Sequence, residues 1–277
     1  MADYLNLRIT RFSDSLDAAQ SYFAIQGIQD LCLEIRRFRE LSELVSDAAP
    51  PFAQDPDASI FDNLLLKANA LREIDIAQAI TMKWLPTLDL SEYFNCLKDE
   101  ELRLRGSFLE AASDFPASAL TRTRLLVFSV MAIRKRKLNF QKKVRRRIAR
   151  SAAGLIDLAG GRAGNGEALG HVCESAEAFL FKLEAGEVCL DKKILTEDIS
   201  GPIEAVCTSL IEWKDLSLTL QSLDALHRGE TGITLSDPAA YVNFRHVLQQ
   251  QTRDLTEAYR RSRKPLLKVL GRLEENL

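Results

Sequence analysis

Residues that interrupt helices are scarce in this sequence. Its 277 residues include 13 glycines and 8 prolines, and the prolines fall mostly between stretches of periodic hydrophobicity. That leaves little room for the short strands and tight turns of an all-β fold. No segment sustains period-two alternation, and "KKILTEDI" (192–199) is the best strand candidate, a weak one. The five cysteines, Cys32, Cys96, Cys173, Cys189 and Cys207, are odd in number and form no CxxC pair. This argues against a disulfide framework and for buried thiols in a reducing compartment. Long apolar runs are missing as well. The best, "LLVFSVMAI" (125–133), is about half of what a bilayer-spanning helix needs. The opening has no charged stretch followed by an apolar core, Ala2 stands where myristoylation needs glycine, and the end carries no prenylation cysteine. Neither a leader nor either of these lipid anchors is expected. The expectation is a cytoplasmic protein, at most peripheral to a membrane.

Catalytic sets are lacking too. His171, His227 and His246 are the three histidines. In "HVC" (171–173) the two metal-capable residues, His171 and Cys173, stand two apart and point to different sides of a helix, and no second pair supplies the four convergent ligands zinc needs. His246 reads as exposed, and His227 fits a helix C-terminus, where a cation suits the dipole. "LAGGRAGNGEALG" lacks the closing Gly-Lys-Ser/Thr of a phosphate loop, and no strand precedes it. No GxSxG, HExxH or kinase set occurs. The carboxylates of Asp99, Glu100 and Glu101 read as a solvated face. No catalytic residue, metal site or cofactor is assigned, and a non-enzymatic protein is expected.

What is present is helical spacing. Leu5, Ile9, Phe12, Leu16, Ala19 and Phe23 step by three and four, and Ile28, Leu31, Ile35, Phe38 and Val45 resume the pattern past Gly27. A helix over about 3–47 is allowed, with a bend at Gly27, since glycine costs about 1 kcal/mol against alanine inside a helix. "DAAPPFAQDPDAS" (47–59) is a loop. Asp55-Pro56 opens a second helix, Pro86 breaks it, and Asp89 or Ser91 starts another. After "SDFPAS" (113–118) a long helix runs over about 118–158, followed by a glycine-rich joint at 159–166. Further helices are expected at 167–187, at 202–226 behind Gly201-Pro202, and at 238–275 behind Asp237, with a kink at Pro265. Trp84 and Trp213 lie in apolar spacing and are expected in the core. No internal repeat is visible. The predicted architecture is an elongated all-α bundle of about seven helices with coiled-coil-like seams. It divides into an N-terminal long-helix bundle (1–158) that includes the basic helix, the joint, and C-terminal helices (167–277) packed on the same bundle.

Charge is distributed unevenly. The formal net charge is −2, yet 115–156 holds no Asp or Glu and twelve of the 37 basic residues. The other 25 stand against all 39 acidic residues, a net of −14. At 100° per residue, Ile133, Phe140, Val144, Ile148 and Leu155 fall on one stripe, broken by Lys137 and Ser151. Arg134, Lys135, Arg136, Lys142, Lys143, Arg145, Arg146, Arg147 and Arg150 cover the remaining circumference. Like charges at i,i+4, such as Lys142 and Arg146, oppose the helix by a few tenths of a kcal/mol.

Two readings account for that repulsion. In one, the chain's own acidic runs, "KDEEL" (98–102) or "LTEDI" (195–199), lie beside the basic helix and pair with it. In the other, the basic face meets an external polyanion. An anionic membrane surface favours each nearby Lys or Arg by about 1 kcal/mol, and a nucleic acid backbone acts through counterion release. Phe140 lies on the apolar stripe, and Asn139 and Gln141 are the only amides, so stacking and base-reading groups are sparse and nucleic acid ranks below membrane. The expected role is a helical scaffold or adaptor whose basic helix (134–150) binds an anionic surface, above all membrane phospholipid headgroups. An acidic protein partner, or a homo-oligomer formed through the heptad seams, is the alternative. A membrane-active helical toxin or effector ranks below both.

Overall fold

A computed structural model describes residues 2–22, 25–46, 58–116, 118–121, 137–161, 166–228 and 237–276. These residues are helical throughout apart from short turns, and no strand occurs among them. The long helices are α1 (Ala2–Tyr22), α2 (Ile25–Ser46), α3 (Ala58–Met82), α4 (Ser91–Ser113), α5 (Lys137–Gly160), α6 (Gly166–Leu190), α7 (Glu197–His227) and α8 (Pro238–Asn276). A helical turn at 118–121 precedes α5. "LLVFSVMAI" lies outside the described residues.

The chain over 3–47 is two helices rather than one bent helix. α2 folds back on α1, so that Phe12 meets Phe38 with ring centroids 6.0 Å apart. Gly27 permits the reversal: a Cβ there would lie 3.0 Å from Ala18 Cβ and 3.1 Å from the Ala19 backbone nitrogen. Phe61 of α3 and Phe115 beyond α4 complete an aromatic cluster on Phe12, each 5.1–5.8 Å from a neighbouring ring.

The candidate strand at 192–199 is instead an irregular link into α7, which starts at Glu197 and carries Pro202 inside it rather than at its first position. α3 ends before Pro86, as helix sterics require. Asp237 opens α8, its Oδ1 accepting from the amides of Ala239 (3.0 Å) and Ala240 (3.1 Å).

The helices form two sets with the same neighbours. α1 pairs with α2 and α3 with α4, while α5 pairs with α6 and α7 with α8; α2 packs on α3 as α6 packs on α7. The sets join through α2 on α6 and α3 on α7. The pairs that cross this seam are separated in sequence by 139 (Glu43–Lys182), 141 (Arg36–Glu177), 143 (Arg72–Asp215) and 147 (Arg37–Glu184) residues. The sets differ in one respect: α1 barely touches α4, whereas α5 packs along α8.

One buried cluster takes in residues of both sets, from Leu5 and Phe12 to Leu266 and Leu270. A smaller one joins Tyr93 and Leu97 of α4 to Leu223 of α7 and Phe244 of α8. Trp213 is buried, and Trp84 is partly buried against the second cluster.

Candidate anion-binding face

α5 owes its position to one narrow apolar edge. Val144, Ile148, Ala152, Leu155 and Ala159 recur at three- and four-residue steps and are all buried. They rest against α6 and α8. Gly186 of α6 lets the helices approach closely, since a Cβ there would lie 2.6 Å from Ile148 Cδ1. Phe140 is partly buried against the same core.

The cations of α5 lie away from that edge. Lys142, Lys143, Arg145, Arg146 and Arg150 are exposed, and Arg147 is half-buried. Lys142, Arg145, Arg146 and Arg150 make no ion pair or hydrogen bond among the described residues, and they share an arc of about 140° at helical pitch. Arg134, Lys135 and Arg136 lie outside the described residues.

Arg147 is the residue that turns inward. Its Nη2 lies 3.3 Å from Glu43 Oε2 on α2, and Lys182 of α6 donates to the same oxygen at 3.2 Å. Burial alone would push the Glu43 carboxyl up, but Lys182 and Arg147 together outweigh it and hold the group below the usual carboxylate range. The two acidic runs named as candidate partners have other neighbours. Glu100 pairs with Arg103 and Glu101 with Arg105, both within α4, and Gln78 Nε2 donates to Glu101 at 2.8 Å. Glu197 and Asp198 are exposed in the first turn of α7, where their charge suits the dipole. Gln141 Nε2 points to the Leu190 carbonyl, 3.5 Å away.

A second cationic row, not singled out from the sequence, lies on the helix beside α5. Between Glu257 and Glu274 the chain has six basic residues and no acidic one. Arg260, Arg261, Lys264 and Lys268 are exposed on α8. Arg263 instead donates to the Gly160 and Gly161 carbonyls, the latter at 3.0 Å, and closes the C-terminal end of α5. The run was legible as a charge count, but its basic residues are interleaved with the apolar spacing of Tyr259, Leu266 and Leu270, which draws the reading toward core.

Among the described residues no group of three or more His, Cys, Asp or Glu could hold a metal ion, and no helix is long and apolar enough to cross a membrane. All five cysteines are free, four of them buried. Burial pushes the Cys32 thiol up to about 11 and those of Cys173, Cys189 and Cys207 to about 12, far from thiolate chemistry. His171, His227 and His246 are exposed.

The sequence matches no protein-family model and no curated protein. Among solved structures, the chain is similar to the CHAD domain from the plant Ricinus communis, with a TM-score of 0.65 and 16% identity over 94% of this chain and 89% of that one. What the two share at that identity is an all-helical fold.

Proposed function

We propose that this chain, on a helical fold like that of the CHAD domain, is a non-enzymatic scaffold or adaptor whose α5 face binds an anionic phosphate surface, membrane phospholipid headgroups above all. The observation that carries the reading is the set of four outward cations, Lys142, Arg145, Arg146 and Arg150, held on one side of a rod by its buried opposite edge. Holding them there opposes folding through mutual repulsion, and none of the four has an ion-pair partner among the described residues. An anionic surface relieves it on contact. The neighbouring exposed row on α8, Arg260, Arg261, Lys264 and Lys268, adds positive charge to the same bundle. The direction of Gln141 toward the Leu190 carbonyl leaves exposed Asn139 as the other amide of this stretch, which favours headgroups over base recognition.

The test is co-sedimentation with vesicles of rising phosphatidylserine content. At about 1 kcal/mol per cation near the surface, changing Lys142, Arg145, Arg146 and Arg150 together to Gln weakens the partition coefficient by about a hundredfold or more. Binding by the unaltered protein falls steeply as salt shortens the reach of the charges to about 8 Å at physiological ionic strength. Binding that ignores lipid charge, or absence of binding at low salt, overturns the proposal.

Self-assembly through the heptad seams is the alternative reading. It has less support, because Leu5, Phe12 and Ala19 of α1 and Leu266, Leu270 and Leu273 of α8 are buried within the single chain and leave little apolar seam for a second copy.

A further inference from the structure

A cavity of about 340 Å³ lies between the link that joins α6 to α7, the first turn of α7 and the last turns of α8, at the small end of small-molecule sites. Its floor is apolar: Ile194 of the link and Val269 and Leu273 of α8 are buried, and Ile199 of α7 is partly buried beside them. Its rim carries both signs of charge. Lys192 and Lys193 come from the link and Asp198 from α7, and all three are exposed. None of the three has an ion-pair partner among the described residues, so the lysines and the carboxylate line one cavity without reaching each other. Arg272 also lines it but is already engaged.

The walls are set before any ligand arrives. Asp191, at φ 53°, closes α6 in the left-handed cap conformation. Glu187 Oε1 accepts from the Ile194 and Leu195 amides, both at 2.6 Å, and the Thr196 amide donates to the Ile194 carbonyl at 2.9 Å. These bonds fix the link that presents the two lysines. Thr196 stands at the start of α7, yet its hydroxyl makes no capping bond and adds a donor to the rim.

We propose that this cavity binds a small zwitterion with an apolar tail, the chemistry of an apolar α-amino acid. The tail lies on Ile194, Val269 and Leu273, the carboxylate takes Lys192, Lys193 and the Thr196 hydroxyl, and the ammonium takes Asp198. A zwitterion is neutral overall. It needs no surplus of either sign on the protein, only cations and a carboxylate held apart around one pocket. A purely anionic ligand would leave Asp198 opposing it, and a purely cationic one would meet the two lysines. The site shares no residue with the α5 face, so either can fail without the other.

The experiment is an NMR titration of the full chain with phenylalanine, read at the isoleucine δ1 methyl groups. Phenylpropionate, phenethylamine and glycine, which lack in turn the amine, the carboxylate and the apolar tail, are separate arms. The Ile194 and Ile199 methyls shift saturably with phenylalanine, while Ile74, on α3 against the other buried cluster, stays still. Each truncated compound binds at least about tenfold more weakly. The double variant Lys192→Gln/Lys193→Gln and the single variant Asp198→Asn, all at exposed positions, each weaken phenylalanine binding by about tenfold or more with the far-UV spectrum unchanged. Asp198→Asn also closes the gap between phenylalanine and phenylpropionate, which a merely structural loss would not do. Four outcomes overturn the proposal: no saturation up to about 20 mM phenylalanine, where affinity would fall below that of a weak specific site; phenylpropionate or phenethylamine binding as tightly as phenylalanine; a parallel shift of Ile74; or full binding by either variant.

Discussion

Lys182 of α6 is the sharpest place to test how the two helix sets are joined. Its side chain is 8% exposed and its ammonium lies 3.0 Å from Glu40 Oε2 of α2. It also donates to Glu43 Oε2 at 3.2 Å and to Ser151 Oγ at 3.1 Å. Lys182 is the main cation acting on Glu40. Lys182→Met removes the cation and leaves the nearly buried Glu40 without its main counter-charge. Breaking a buried pair in this way costs about 3–5 kcal/mol. Glu43 keeps Arg147 and is itself 38% exposed, so the lower end, about 3 kcal/mol, is expected. The pH dependence has a definite sign. Burial already raises the Glu40 carboxyl above its ordinary value against the pull of Lys182, and losing Lys182 raises it further. A carboxyl whose folded pKa exceeds its unfolded one takes up a proton on folding, so its penalty is absent below about pH 4 and grows as pH climbs through the folded value. The deficit of Lys182→Met in urea unfolding is therefore largest near neutral pH and shrinks on acidification, and Lys182→Met/Glu40→Gln regains most of it at neutral pH. A single variant as stable as the unaltered protein, or a deficit independent of pH, refutes the reasoning.

Other consequences are as direct. Asp75 on α3 is 7% exposed, and burial, with Glu101 facing it from α4, pushes its carboxyl up to about 6. Asp75→Asn therefore raises the urea midpoint at pH 7, with a gain of about 1–2 kcal/mol that disappears below about pH 4; an equal gain at both pH values contradicts the assignment. Gly106→Ala on α4, where a Cβ meets nothing within 4 Å, stabilises by about 0.5–1 kcal/mol in thermal unfolding. Gly27→Ala destabilises by about 1–3 kcal/mol because its Cβ would press on the α1 backbone. In thiol labelling of the native protein at pH 8, Cys96, the half-exposed thiol, reacts first, and Cys32, Cys173, Cys189 and Cys207 react only after unfolding; rapid native labelling of any of those four contradicts their burial.

The helical class was legible because it follows from scarcity of breakers and from apolar spacing, and both are local. The division of 3–47 was not, because the three-four spacing continues through the reversal and only Gly27 hints at it; the decisive fact, the approach of Gly27 to Ala18, is a tertiary contact. Pro202 misled for a related reason. It suits a helix start, but Glu197 and Asp198 had already started α7. On α5 the exposure of Lys142, Arg145, Arg146 and Arg150 could be read from the buried stripe opposite. The pairing of Arg147 with Glu43 could not, since it joins residues 104 apart in sequence. The recurrence of one helix arrangement also leaves no trace as a sequence repeat, because packing constrains which faces are apolar far more than which residues make them so.

The ion pairs across the seam have a consequence for how the molecule can be assembled. Arg36 and Arg72 of the first quartet of helices meet Glu177 and Asp215 of the second, while Lys182 of the second meets Glu40 and Glu43 of the first. A twin of the first quartet set at this seam would offer Arg36 no Glu177, Arg72 no Asp215 and Glu40 no Lys182. The charges of each quartet are thus fitted to the other, and linkage within one polypeptide guarantees one of each.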